Sequence, residues 1–247
     1  MIISGVRDKS MKCINLHPWD LRYSEAVKVQ QELKARLVLE TPKIEFELVA
    51  GADVSYSKGD DVFFSSVVVL EMPTMRIVEE ATARSEMNFP YIPGLLSFRE
   101  APVLIKAFEK VKNVPDVIVF DGQGIAHPRG VGLASHMGLV LDLPSIGCAK
   151  KNLVGNYDPV GNQVGEHTPI VFEGDVVGAV LRTRENVKPV FVSPGHKMDI
   201  PSAIEIVMKT CRGYKLPEPT RQAHRLVNRV RTSYYSTQPP YQREFPS

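Results

Sequence analysis

Residues 46–87 hold three strand-like stretches joined by short turns, whereas the chain beyond residue 100 alternates helical periodicity with short apolar runs. The early stretches cover 46–56, 62–72 and 75–87. The second carries Val67, Val68, Val69 and Leu70, and Pro73-Thr74 leads from it to the third in a connection of hairpin length. That is the pattern of an antiparallel meander. Downstream, Ala101, Leu104, Ile105, Phe108 and Val111 mark one helical face, and Val117-Ile118-Val119-Phe120 reads as a buried strand. A second helical stretch covers 131–141, kept thin on one side by Gly132, Ala134, Ser135 and Gly138, and an apolar strand follows over 144–149. Helix and strand in that order require parallel crossovers. The expected fold class is therefore α/β, a mixed central β-sheet flanked by α-helices.

The rest of the chain fits one domain over residues 1–247. Residues 1–18 read as an irregular lead-in. The spacing of Leu21, Val29, Leu33, Leu37 and Val38 predicts a helix over 19–40, stopped by Thr41-Pro42 because proline disfavours helical geometry in the residue before it. Residues 171–182 read as a hairpin around Glu173-Gly174-Asp175, and 190–192 as a short strand. Helices are expected over 200–211 and 220–231. The end, 233–247, is rich in Tyr, Gln and Pro and is expected to be disordered.

Charge and cysteine content narrow the setting. Thirty Lys+Arg against 28 Asp+Glu leave a formal charge of +2, so any nucleic-acid surface must be a local patch. Cys13, Cys148 and Cys211 are odd in number and unpaired in sequence, as expected in a reducing, cytoplasmic setting. No apolar run of roughly 18 residues is present to cross a membrane, and MIISGVRDKSMK has no apolar stretch of signal-peptide length. A P-loop, a GxSxG elbow and an HExxH pair are all absent.

Three carboxylates stand out. Asp53 interrupts the apolar Leu48-Val49-Ala50-Gly51-Ala52-Asp53-Val54, where an unpaired charge is costly to bury unless a partner or metal compensates it. The other reading is a strand-end Asp facing water. Asp121 follows an apolar strand and precedes Gly122-Gln123-Gly124, at the carboxyl end of a strand where α/β sheets bind ligands. A turn Asp before Gly is the plain alternative. Glu100 closes Ser97-Phe98-Arg99-Glu100, a capping-box pattern that local sequence favours, although Pro102 implies a helix that starts later. Taken together, three carboxylates on separate elements suit a hard cation such as Mg²⁺, completed by water and phosphate oxygens. His127, before Pro128-Arg129, falls in the loop after Asp121. Lys150 and Lys151 end an apolar strand. Arg221, Arg225 and Arg229 form a stripe with His224 beside it, either a solvated helix face or a phosphate track. In Phe89-Pro90-Tyr91-Ile92-Pro93-Gly94, two prolines stiffen an aromatic-tipped loop, either a core aromatic or a wedge into a base stack.

On these residues the chain resembles the endonuclease V family of the ribonuclease H-like superfamily. The resemblance rests on Val49-Ala50-Gly51-Ala52-Asp53-Val54-Ser55, on Pro90-Tyr91-Ile92-Pro93-Gly94-Leu95-Leu96-Ser97-Phe98-Arg99-Glu100, and on Asp121-Gly122-Gln123-Gly124-Ile125-Ala126-His127-Pro128-Arg129. Gly132-Leu133-Ala134-Ser135-His136, Ile146-Gly147-Cys148-Ala149-Lys150-Lys151 and Leu216-Pro217-Glu218-Pro219-Thr220-Arg221 extend it over roughly residues 20–231. It implies a ribonuclease H-like fold with Asp53, Glu100 and Asp121 binding Mg²⁺, for which Mn²⁺ substitutes. It implies Lys150 beside the scissile phosphate, His127 close to metal or substrate, and His224 near the metal. Tyr91, flanked by Pro90, Ile92 and Pro93, would separate the strands. A flipped hypoxanthine would lie against loop backbone near Gly94, Leu96, Gly122, Gly124 and Leu133. The implied activity is a DNA repair endonuclease, a monomer, that hydrolyses the second phosphodiester 3′ to deoxyinosine and leaves 3′-hydroxyl and 5′-phosphate ends without a covalent protein intermediate. Two alternatives stand beside it: an endoribonuclease for inosine in single-stranded RNA, and a nucleic-acid-binding protein without catalysis.

Overall fold

The computed structural model describes residues 11–57 and 59–237. In chain order these form α1 (Tyr23–Lys34), β1 (Leu48–Tyr56), β2 (Val62–Glu71), β3 (Arg76–Glu86), α2 (Leu96–Phe108), β4 (Val117–Phe120), α3 (Leu133–Leu141), β5 (Ser145–Ala149), β6 (His167–Phe172), β7 (Asp175–Leu181), β8 (Val190–Pro194), α4 (Ile200–Thr210) and α5 (Glu218–Thr237). The eight strands make one mixed sheet in the order β3-β2-β1-β4-β5-β8-β7-β6. β1, β2 and β3 form the antiparallel meander, while β1, β4 and β5 run parallel through the α2 and α3 crossovers. The mixed ribonuclease H-like sheet expected from sequence is the one present.

Both faces of the sheet are covered, which explains the unbroken apolar runs. Ala50, Ala52, Val67, Val69, Ile118 and Phe120 pack with Ala101, Leu104, Phe108, Ala134 and Met137 from α2 and α3. Their alternating neighbours Val49, Val68, Leu70, Val117 and Val119 pack on the opposite face with Ala203, Val207, Ala223 and Leu226 from α4 and α5. Each fully buried Val, Leu, Ile, Phe or Met among them contributes about 1.5–3 kcal/mol. Sequential strands leave β1 on one side through β2 and on the other through α2 and β4, so the β1/β4 crevice is the switch point of the sheet.

Four expectations need correction. The first helix is shorter than 19–40. It begins after Arg22, whose N–H donates to the Glu25 carboxylate at 2.7 Å, and Trp19 instead stacks on His136 with ring centroids 5.2 Å apart. Glu100 is not a capping residue: α2 starts at Leu96, and the Ser97 hydroxyl bonds to His136 Nδ1 at 2.9 Å. Pro102 does not delay the helix either but lies inside it, where it has no N–H to give. Finally, residues 233–237 continue α5, with Tyr234 and Tyr235 packed against Phe64 at 5.2 and 6.1 Å. The remainder of the expected disordered tail, and most of the lead-in, lie outside the described residues. Cys13, Cys148 and Cys211 are free thiols, and no described helix is long and apolar enough to cross a membrane.

Candidate active site

Parallel pairing of β1 with β4 sets the site. The last paired residues are Ala52 and Phe120, so Asp53 and Asp121 follow side by side, Asp121 just beyond the carboxyl end of β4 and Asp53 where β1 runs on past it, paired with β2 alone. Glu100 reaches the same region from the first half of α2. The loop that carries Asp121 is pressed down by close backbone packing. A Cβ on Gly147 of β5 would stand 2.4 Å from Gly124 N, and one on Gly124 would stand 2.0 Å from the Pro194 carbonyl oxygen. Glycine is required at both positions because backbone occupies the space a side chain would need.

The three carboxylates repel one another. Desolvation raises the Asp53 pKa, with Asp121 adding to it, while His224 and the Val54 N–H act against them. Glu100, a partly exposed residue whose carboxyl group is densely enclosed, is pushed up to about 8 by desolvation first, then by Asp53 and Asp121. Arg99 offsets only part of this. The Lys150 ammonium, at the end of β5, makes a close contact with Asp121 Oδ2. His224 donates from Nδ1 to Asp53 Oδ2 at 2.8 Å, and Asp53 Oδ1 accepts from Val54 N at 2.9 Å. Among the described residues, no three His, Cys, Asp or Glu side chains already form a ligand cage. The donor set nevertheless suits a hard divalent cation: acidic oxygens only, in excess of the cationic partners beside them, with ordinary completion of the shell by water and phosphate.

Sequence reasoning missed the support behind His224. Asn228, one turn further along α5, donates from Nδ2 to the His224 carbonyl at 2.8 Å and to His224 Nε2 at 3.1 Å. Ser55 donates to Asn228 Oδ1 at 3.1 Å. Because the carbonyl can only accept, the amide orientation is settled, and Nε2 must be the unprotonated nitrogen of the neutral ring. The signal available in sequence was the i, i+4 spacing of His224 and Asn228. The arginine stripe beside it is partly spent on the protein: Arg221 pairs with Glu218 at 2.6 Å and Arg229 with Glu80 at 3.6 Å.

The remaining sequence-derived residues divide into groups. Tyr91 is 65% exposed at the tip of an irregular segment, with Pro90 and Pro93 exposed and Ile92 half-buried. A Cβ on Gly122 would touch Leu133 at 3.5 Å, so these two are neighbours. Leu96 opens α2. Gly124 is buried, its N–H donating to Ser193 Oγ at 2.8 Å and its carbonyl accepting from Gly132 N at 2.9 Å, so both its polar groups serve the scaffold. His127 is 5% exposed, and its ring faces Gly94 and Arg129. Burial first, then Arg129, pulls its pKa down to about 4.

Comparison with known proteins places this geometry. A family model described as Endonuclease V matches residues 31–225. An Endonuclease V of Myxococcus xanthus is 49% identical over 224 residues, covering 89% of this chain and 95% of that one. The crystal structure of the Endonuclease V from Streptomyces avermitilis superimposes with a TM-score of 0.84 at 41% identity, covering 88% of this chain and 96% of that one. Ciona intestinalis Endonuclease V, in complex with a 24mer DNA containing an inosine followed by a ribo-adenosine, gives a TM-score of 0.76 at 28% identity, with 85% and 98% covered.

Proposed function

The chain belongs to the endonuclease V family and is a nuclease, and from that premise we propose that it is a divalent-metal-dependent enzyme that hydrolyses the second phosphodiester 3′ to deoxyinosine in DNA, leaving 3′-hydroxyl and 5′-phosphate ends. The observation that carries this reading is the crowding of Asp53, Glu100 and Asp121 at the β1/β4 switch point with Lys150 at their edge. The inosine-containing DNA of the Ciona complex supports the choice of lesion.

Asp53, Glu100 and Asp121 would hold the cation, Mg²⁺ with Mn²⁺ as a substitute. When bound, it supplies Lewis-acid stabilisation of charge developing on the phosphate and lowers the pKa of a water nucleophile. The protein's own groups do the placing. His224 fixes the Asp53 carboxylate through Oδ2, and the Val54 N–H holds the other oxygen. Lys150, paired to Asp121 and still substantially exposed, offers its ammonium to a phosphate oxygen. Tyr91 is placed to enter the space left by an extruded base, with Pro90, Ile92 and Pro93 limiting the loop's freedom. Extrusion costs a few kcal/mol and costs least at a weak pair, which favours the deaminated base. Gly94, Leu96, Gly122 and Leu133 would wall the pocket for that base. Gly124 contributes by shaping the loop.

One observation favours a second substrate: the DNA in the Ciona complex carries a ribo-adenosine directly after the inosine. A site that accepts ribose there would also take inosine in single-stranded RNA. Matched DNA and RNA oligonucleotides, each with one inosine, separate the two by relative kcat/KM.

The metal assignment is tested with Asp53→Asn, Glu100→Gln and Asp121→Asn. Each variant is expected to lose roughly 10²-fold or more in nicking rate while keeping its circular dichroism spectrum. Wild-type rates in all three would overturn the assignment.

A further inference from the structure

The segment that carries Tyr91, residues 87–95, has no helix or strand of its own. Its position is set by α1, an element to which the chemistry above gives no part. Ala26 of α1 packs with Leu95 and Phe98, and Phe89 and Ile92 join that cluster. Further along α1, Leu33 packs with Val131 and Leu139. One helix thus supports the Tyr91 segment near its start and the loop between β4 and α3 near its end.

A polar clamp lies between these two apolar contacts. Gly94 has φ +79°, a conformation that suits glycine, and its carbonyl turns toward α1. That carbonyl accepts from Gln30 Nε2 at 3.0 Å and from Arg129 Nη2 at 2.6 Å. The His127 ring bonds to Gly94 backbone as well. Gln30 sends its second Nε2 hydrogen to the Val131 carbonyl at 2.9 Å and accepts from Arg129 Nε on Oε1 at 2.5 Å. It is 1% exposed, and every polar atom of its amide is used. A flipped amide would point its oxygen at two carbonyls, so the orientation has no alternative. His127 Nδ1 accepts from Arg129 N at 3.2 Å, which leaves Nε2 as the nitrogen that carries the proton.

We propose that Gln30 is a positioning residue for base recognition: it ties the Tyr91 segment to the loop after β4, so that the two walls of the base pocket stand at a fixed separation before substrate arrives. This rests on the reading that Gly94 and Leu96 face Gly122 and Leu133 across that pocket. The Gly94 carbonyl, with its two lone pairs taken up by Gln30 and Arg129, serves the scaffold. A preset pocket lowers the ordering cost of binding, so its loss appears in substrate affinity before it appears in chemistry.

Two variants test this. Gln30→Met keeps the length of the side chain and removes all three hydrogen bonds, whereas Arg129→Lys keeps a charge at a partly exposed position and removes the fork. Hydrogen exchange of residues 87–95 in the substrate-free protein is expected to speed up about tenfold in either variant, with β1 and β4 unchanged. Cleavage of an inosine-containing duplex is expected to show KM raised about tenfold, with kcat reduced less than about threefold. Unchanged exchange in this segment, or a fall in kcat at constant KM, would overturn the proposal. If Gln30→Met fails to fold, Arg129→Lys decides by the same criteria. If wild type shows no preference for inosine, the assigned function fails, and the exchange measurement still decides whether Gln30 holds the segment.

Discussion

His224 Nδ1 stands 2.8 Å from Asp53 Oδ2, joining the last helix to the first strand across 171 positions of sequence. Gly51 makes that reach possible. A Cβ there would stand 2.0 Å from the Pro219 carbonyl oxygen, so the start of α5 lies directly on β1 two residues before Asp53. The same strand therefore carries the carboxylate and the bare patch of backbone that brings its partner close.

Gly51→Ala is expected to push α5 away from β1. The clash is with backbone, which cannot swing aside, so a loss of about 1–3 kcal/mol in unfolding free energy is expected. Nicking should fall further than stability explains, because His224 no longer reaches Asp53. Urea denaturation alongside nicking rates at a temperature where the variant is folded checks both. Wild-type values for both would contradict the account.

Glu100 gives the site a pH dependence. Its folded-state pKa of about 8 lies above the ordinary 4.5, so the folded protein holds a proton that the unfolded chain has released. The stabilisation from this group is complete below about pH 4.5 and is lost as pH rises through 8, at up to about 1.4 kcal/mol per unit. Under the proposed metal assignment a divalent cation would replace the proton, so Mg²⁺ should raise Tm more at pH 8.5 than at pH 6. Calorimetry with Mg²⁺ and with EDTA measures it. An equal Mg²⁺ effect at both pH values, or none, would count against cation binding by these carboxylates.

Much of this architecture is legible in the sequence. The Val117-Ile118-Val119-Phe120 run and the helix after it announce a parallel crossover, and a carboxylate directly beyond a buried strand falls at a ligand-binding end. Glu100 was ambiguous because a capping box and a helix-borne ligand have the same local spelling. What removes the capping box is tertiary: the Ser97 hydroxyl bonds to His136, not to the helix's own backbone. Gln30 left no signal at all. A glutamine on an amphipathic helix reads as solvent-facing, yet it lies four residues after Ala26 and three before Leu33, on the buried face. Residues 233–237 misled by composition, since tyrosines in a polar segment turned out to pack on Phe64.

The buried pair His17 and His136 produces the opposite pH response. Their Nε2 atoms are 2.7 Å apart, and His136 also bonds to Ser97. Burial, then His17, draws the His136 pKa down to about 3, and burial lowers that of His17. Both rings are neutral in the folded protein, so stability is full above the unfolded value near 6.5 and falls as pH drops from there toward 3. Between pH 7.5 and 5.5 a loss of roughly 1 kcal/mol is expected from His136, with His17 acting in the same direction. Trp19, the only tryptophan, stacks on His136 and reports the transition by fluorescence. His136→Gln should flatten the dependence. The same slope in wild type and variant would show that other groups set the acid limit.

The most direct test of the assigned function is the cleavage of a 5′-labelled duplex carrying one deoxyinosine, mapped to the nucleotide, with Mg²⁺ or with EDTA and beside a control with adenine at that position. The account predicts one nick at the second phosphodiester 3′ to the inosine, ending in a 3′-hydroxyl, absent with EDTA and absent from the control. Equal cutting of both duplexes, or an inosine-dependent nick that persists in EDTA, would contradict it.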